Sequence, residues 1–416
     1  MRIAIFTDSF LPHISGVCSA VINQANALCK LGHEVMIFRP KAFGANAKKR
    51  LERTGELHAK IRDVLISVPS MRQPGLRIAL PTVAPTLPVL RHFKPDLIHV
   101  HTEWGCGWEG VMLAKMLRKP LVGTFHTFFA EPEYLKQFHL PNHRLTREMM
   151  WRYSVFFYNH CDRVLSPSRS VAQQLMEKGI DSPPHLVSNG IPNYDLLPES
   201  DVAALRTARG LDGPCLVYAG RLSEEKSLPV LLRAFRLVIP RVPGVRLLII
   251  GDGPAMKDLR EQTAEMGLSG SVQFTGRVPH IELMKQNLLR LGDVFVTASK
   301  TENQPVSLLE AMVFGLPIVG PDARGIPELV HHGENGVLFP PDDEEAMAAG
   351  MVRLLTDDAF RAHCSEGARR LAGGNQIDAV VRQLLFQYEQ TILSRRTRKR
   401  RRLHRRLRSR ARPPRA

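Results

Sequence analysis

Short β-branched runs alternate with helical patterns along the first half of the chain. The runs are Arg2 to Thr7, Glu34 to Arg39, Val64 to Val68, Asp96 to Val100, Leu121 to Phe125, Arg163 to Ser166 and His185 to Ser188. This alternation predicts a parallel sheet covered by helices. After a polar, Pro-containing stretch from Asn193 to Pro214 the pattern restarts, with Leu216 to Ala219, Arg246 to Ile250, Val272 to Thr275, Val294 to Ala298, Pro317 to Gly320 and Val337 to Phe339. A second α/β domain is expected there. Near the end, Ile377, Val380, Val381, Leu384, Leu385, Tyr388 and Ile392 fall at helical spacing and form one apolar stripe that must dock on something. The expected division is residues 1–197 and 198–375 as two Rossmann-like domains, 376–394 as a helix packing back on the first, and 395–416 as a disordered basic tail.

Length agrees with that division, since 416 residues, 44% of them hydrophobic, exceed what one core usually supports. No apolar run approaches the roughly 18–20 residues that span a bilayer, and the amino terminus reads as a strand, not a signal peptide. The six cysteines have no paired short spacing, which suits buried thiols in a reducing cytosol and argues against disulfides or a zinc site. The formal charge of +17 is mostly local: 13 Lys and Arg and no acidic residue lie from Arg395 onward, and without them +4 remains. Such a tail meets anionic lipid headgroups or nucleic acid.

Open parallel sheets bind ligands at the carboxyl ends of their strands, where helix amino termini favour anions. Gly16, in the loop and helix start after the first strand, lets a phosphate or sugar approach the backbone, although a plain turn fits equally. Arg221 and Lys226 follow the strand that ends at Gly220. Two cations there suit a diphosphate, and the same spacing fits a solvated loop pair. Gly251-Asp252-Gly253-Pro254 closes another strand with a tight turn. Glu302 and Glu310, seven residues apart in between, are carboxylates that can accept from vicinal hydroxyls.

In chain order the segments read SGV at Ser15 to Val17, GTFHT at Gly123 to Thr127, SPS at Ser166 to Ser168, SNGI at Ser188 to Ile191, AGRLSEEKS at Ala219 to Ser227, GDGP at Gly251 to Pro254 and TENQPVSLLEAM at Thr301 to Met312. Together they resemble the family 4 retaining glycosyltransferases of the GT-B fold, up to about Leu393. They look closest to the branch that glycosylates diacylglycerol and related lipids. The resemblance implies an α/β fold of two Rossmann-like domains facing each other across a cleft. It implies that Arg221 and Lys226 hold the donor diphosphate, Glu310 the ribose and Glu302 the hydroxyls of the transferred sugar, with His126 near the reacting centre. The amides of Gly16, Val306, Ser307 and Leu308 would face the phosphates, with Gly251 also on the donor side. The anomeric configuration would be kept without a carboxylate nucleophile, and no metal or cofactor would be required beyond the nucleotide sugar itself. Two departures stand out: Ser15-Gly16 where two glycines or Asn-Gly are common, and Asn303-Gln304-Pro305 after Glu302 in place of Phe-Gly.

The expected activity is hexose transfer from a nucleotide diphosphate sugar, UDP-glucose or UDP-galactose, to a membrane lipid such as diacylglycerol. The enzyme would be cytoplasmic and peripheral at the inner face of the membrane. A GDP-mannose-dependent transferase of polysaccharide or lipopolysaccharide assembly shares every donor residue. An inactive basic binding protein is the third reading, opposed by the presence of all five chemical residues; nucleic acid is therefore not the expected partner. Membrane contact is expected from the basic stretch Lys41, Lys48, Lys49, Arg50, Arg53, Lys60 and Arg62, from the tail, and from Arg144 to Tyr158, whose mixed Arg, Met, Trp and Phe pattern also fits a packed helix.

Overall fold

The computed structural model describes residues 1–11, 15–41, 57–64, 67–69, 77–126, 130, 132, 135 and 140–410, with residues 64, 67–69, 77–79 and 398–410 described by their backbone alone. Thr127, Lys48, Lys49, Arg50, Arg53 and the last six residues lie outside them.

The first domain carries strands β1 (Arg2–Phe6), β2 (Glu34–Pro40), β3 (Lys60–Val64), β4 (Ser67–Pro69), β5 (Arg77–Ala79), β6 (Leu97–Val100), β7 (Leu121–Thr124), β8 (Arg163–Ser166) and β9 (His185–Leu186). Among the described residues, seven of them form a parallel sheet in the order β3-β2-β1-β6-β7-β8-β9, while β4 and β5 pair antiparallel as a separate hairpin. The second domain carries β10 (Cys215–Ala219), β11 (Arg246–Ile250), β12 (Val272–Gly276), β13 (Val294–Val296), β14 (Ile318–Pro321) and β15 (Gly336–Phe339), in the order β12-β11-β10-β13-β14-β15. In each sheet the first strand is central, and the winding reverses beside it, between β1 and β6 and between β10 and β13. Those switch points open crevices at the strand carboxyl ends.

Both faces of each sheet are covered, so the strands are nearly continuous apolar runs whose alternate residues enter different cores. Ile3 and Ile5 pack with Val21, Ala25 and Leu28 of the helix Gly16–Lys30, whereas Ala4 and Phe6 pack with Val111, Leu113 and Phe157. In the second domain Leu216 and Tyr218 meet Leu231 and Phe235, and Val217 and Ala219 meet Leu308, Leu309 and Met312.

The apolar stripe near the end docks on the first domain, with Val380, Val381, Leu384 and Tyr388 buried against Ile3, Ile5 and Cys18. Its helix runs from Ile377 to Arg410, so the backbone from Arg395 to Arg410 is helical where the sequence reading expects disorder. Arg and Lys are good helix formers, and a helix already nucleated on a core extends at little cost. The stretch between the sheets also differs from a bare linker. It holds a helix, Glu199–Thr207, with acidic residues in its first turn, and Arg206 pairs with Asp293 at 2.8 Å to dock it on the second domain. The chain crosses between domains twice, side by side: the amide of Ile191 donates to Asn375 O at 3.0 Å and that of Ile377 to Ile191 O at 2.8 Å.

Candidate active site

The second-domain half of the site grows from the end of β10. Gly251 has φ +146°, and a Cβ there would stand 1.9 Å from the carbonyl oxygen of Gly220. Its missing side chain is therefore demanded by the neighbouring backbone, which draws the turn after β11 onto the turn carrying Arg221. The amide of Leu222 donates to Asp252 O at 3.1 Å and that of Ala255 to Leu222 O at 3.0 Å, closing the seam. Lys226 ends a single 3-10 turn, Glu224–Lys226, and its Nζ lies 2.5 Å from Glu302 Oε1, with the two side chains 21% and 17% exposed. Burial holds the Tyr218 phenol above its usual range, with Lys226 and Glu302 pulling it in opposite senses, which places both charges beside the end of β10.

Glu302 precedes the helix Val306–Val313, whose first turn points at the same crevice. The amide of Leu308 donates to Pro305 O at 3.2 Å, so Val306 and Ser307 head the helix without an intrahelical acceptor. Leu308 thus contributes less to an anion site than the sequence reading expects. Across the cleft, a Cβ on Gly16 would lie 3.9 Å from Val306 Cγ2, which sets the amino termini of two helices against each other. Ser15 caps the first of them by accepting from the Cys18 amide at 3.2 Å. Two positive dipole ends facing one gap favour an anion.

Glu310 is buried on the same helix, and its Oε1 lies 2.5 Å from His280 Nε2. Burial works against the His280 imidazolium, but Glu310 outweighs it and holds the ring above the usual histidine range. A histidine whose folded-state pKa is raised stabilises the protein below its unfolded value near 6.5, and that contribution disappears as pH rises through the folded value. His280→Gln is therefore expected to cost about 1 kcal/mol at pH 6 and progressively less towards pH 9. Melting temperatures of both proteins across that range check it; a constant difference contradicts it.

The first-domain half centres on His126, just past β7. His126 Nε2 lies 2.9 Å from His101 Nδ1, and burial pushes its pKa down to about 4, so the ring is neutral at ordinary pH. The loop after β13 reaches this residue: Asn303 Nδ2 donates to His126 O. Its neighbour Gln304 accepts from Asn189 N at 2.7 Å and Ser188 Oγ at 3.1 Å. Two of the three residues that depart from the common pattern after Glu302 thus bond across to the first domain. Glu328 adds a second tie, accepting from the amides of Arg169 and Ser170 at 2.7 Å each, at the amino terminus of the helix Arg169–Glu177.

Behind this half lie Asp8, Glu103 and Glu109, all buried. Asp8 accepts from Thr102 Oγ1 at 2.7 Å and from the Cys106 amide at 3.1 Å, stitching the end of β1 to the loop after β6. Burial raises Glu103 and Glu109 each to about 7. A carboxyl raised in the folded state loses stability as pH climbs from its unfolded value to its folded one, because the unfolded chain ionises first. Glu109→Gln, which cannot ionise, is expected to stabilise the protein by about 1–2 kcal/mol at pH 8 and by less at pH 5. Denaturant titrations at the two pH values measure this; equal effects at both contradict it.

Lys226 meets Glu302, Gly16 stands against Val306, and Asn303 reaches the carbonyl of His126, while Arg221 follows the end of β10 and Glu310 pairs with His280 on the helix Val306–Val313. His101 and His280 join these residues without a motif to mark them, and Asn303, a departure from the common pattern, reaches the carbonyl of His126. Among the described residues, no group of three or more His, Cys, Asp or Glu could hold a metal ion, and no helix is long and apolar enough to cross a membrane.

Comparison with known proteins agrees with this architecture. Residues 14–193 match the model of "Glycosyltransferase Family 4" and residues 213–357 that of "Glycosyl transferases group 1". A GDP-mannose-dependent alpha-mannosyltransferase of Mycobacterium tuberculosis is 30% identical, with 95% of this chain and 98% of that protein covered. An alpha-monoglucosyldiacylglycerol synthase of Streptococcus pneumoniae is 27% identical over 90% of this chain and 83% of its own length. The Anabaena protein Alr3699/HepE, solved with UDP-glucose, shares the fold with a TM-score of 0.76 at 22% identity, covering 94% of this chain and all of that one. The chain is a glycosyltransferase and belongs to the family 4 enzymes of the GT-B fold.

Proposed function

We propose that the protein transfers a hexose from UDP-glucose or UDP-galactose, with retention of configuration, to a membrane lipid acceptor such as diacylglycerol. The observation that carries the reading is the meeting of Lys226, Glu302 and the amino terminus of the helix Val306–Val313 with His126 across one cleft. Arg221 and Lys226 take the diphosphate, and the amides of Val306 and Ser307 with Gly16 opposite add donors to the same charge. Glu310 accepts from the ribose hydroxyls, Glu302 from those of the sugar, and His126 contacts the sugar or the incoming hydroxyl. Charge growing on the departing phosphate is borne by these cations and amides, with no metal or further cofactor assigned a step. That phosphate then assists removal of the acceptor proton.

A lipid acceptor requires an approach to a membrane, and the helix Arg144–Tyr158 supports one. It buries Trp151, Val155, Phe157 and Tyr158 but leaves Leu145, Met149 and Phe156 exposed on one stripe, beside the exposed Arg152. The packed face fits an ordinary core helix, and the exposed stripe supports the amphipathic reading. With the basic extension to Arg410 it fits peripheral attachment to the acidic cytoplasmic face of a membrane. The Streptococcus pneumoniae relative, named for a diacylglycerol product, favours the same acceptor. The mannosyltransferase likeness favours GDP-mannose as the second reading. Transfer assays with UDP-glucose, UDP-galactose and GDP-mannose, with and without diacylglycerol vesicles, separate them. The proposal expects nucleotide release from a UDP-sugar only with the lipid; turnover with GDP-mannose alone overturns it.

A further inference from the structure

His101 is 1% exposed and lies at the carboxyl end of β6, two residues beyond His99 and so on the same face of the chain. Its Nδ1 faces His126 Nε2 at 2.9 Å; its Nε2 is buried and, among the described residues, has no hydrogen-bond partner. His99 packs on it with ring centroids 4.0 Å apart and the planes tilted by 39°. His99 is fixed in turn at both nitrogens, 2.7 Å from Tyr388 Oη of the C-terminal helix and 2.7 Å from Thr124 Oγ1 of β7. The plane of His101 is thus set by packing, and among the described residues His126 is the one hydrogen-bond partner of its ring.

Burial keeps all three rings neutral, so each carries a single N–H. If the hydrogen of His101 sat on Nε2, a buried donor would go unpaired. On Nδ1, only a lone pair does, and orphaned buried acceptors are the more tolerated of the two. The Nδ1–H then donates to His126 Nε2, which must be unprotonated, and the hydrogen of His126 is left on Nδ1.

We propose that His101 is a positioning residue: it fixes the ring orientation of His126 and its Nδ1–H tautomer, so that His126 meets the transferred sugar or the acceptor hydroxyl as a hydrogen-bond donor. The inference rests on the placement of His126 at the reacting centre, and the experiment separates the two.

The test compares His101→Phe, His101→Asn and His126→Ala in the full-length protein by kcat, donor KM, UDP affinity and melting temperature. Phe keeps the packed ring and removes the nitrogen; Asn shrinks the side chain but keeps a donor near the Nδ1 position. Positioning predicts that His101→Phe lowers kcat by about 10²-fold, the scale of a misplaced catalytic contact, with KM and UDP affinity within about twofold. His101→Asn should recover about tenfold of that loss despite melting lower. If Phe retains wild-type kcat, or if activity follows melting temperature with Asn worse than Phe, the proposal fails while the role of His126 stands, provided His126→Ala is inactive. An active His126→Ala removes the underlying reading and this inference with it. Should His101→Phe not fold, histidine-selective ¹⁵N NMR of the wild type decides: hydrogen on Nδ1 of His126 supports the proposal, and hydrogen on Nε2 overturns it.

Discussion

Glu302→Ala is expected to reduce transfer turnover by about 10³-fold, at the scale of one or more lost transition-state contacts. Two effects combine. Glu302 is the carboxylate proposed to accept from the sugar hydroxyls, and it also holds Lys226 at 2.5 Å with both side chains mostly buried. Its removal leaves a partly buried ammonium without that partner, a cost of about 1–2 kcal/mol after allowance for solvent. Glu302→Gln keeps an acceptor oxygen but loses the charge, so it should recover some sugar contact and little of the Lys226 placement. A melting temperature within a few degrees of wild type, alongside the kinetic loss, assigns the defect to the site. Steady-state rates of Glu302→Ala within tenfold of wild type contradict the role.

Gly251→Ala is expected to give the largest loss of stability, about 3 kcal/mol or more, or roughly 6–12 °C in melting temperature for a domain of this size. The new methyl would stand 1.9 Å from Gly220 O at a backbone φ of +146°. Relief requires the turns after β10 and β11 to part, which breaks the bonds from Leu222 to Asp252 and from Ala255 to Leu222. Arg221 lies inside that seam, so UDP affinity should fall together with the melting temperature. Differential scanning calorimetry reads the first effect and titration calorimetry the second. A variant that melts within 2 °C of wild type would mean the seam opens freely.

The central strands of both sheets were legible in the sequence because each is buried on both faces and reads as an unbroken apolar run ending in a turn. The edge was not. Lys60-Ile61-Arg62-Asp63-Val64 carries three charged residues in five, as a guarded edge strand can, and so reads as a polar surface segment. The hairpin of β4 and β5 is too short to show a period. The helix Glu199–Thr207 announces itself only by Pro198 and an acidic first turn. In the site, Lys226 and Glu302 could be expected near one another because each follows a strand end, and their side chains do meet. His280 and Asn303 were not legible, because their partners Glu310 and His126 lie 30 and 177 residues away and no local pattern joins them. A signal for His101 did exist: His99 and His101 alternate on one strand face beside the GTFHT strand, which places both rings behind His126.

Calorimetric titration of UDP and GDP into the wild type, Lys226→Ala and Glu310→Gln tests most directly whether this cleft holds the nucleotide. The wild type is expected to bind UDP, and each substitution to weaken binding by about tenfold or more, the scale of a lost charge-assisted contact. Equal affinity in all three proteins would place the nucleotide elsewhere and contradict the assignment of the cleft.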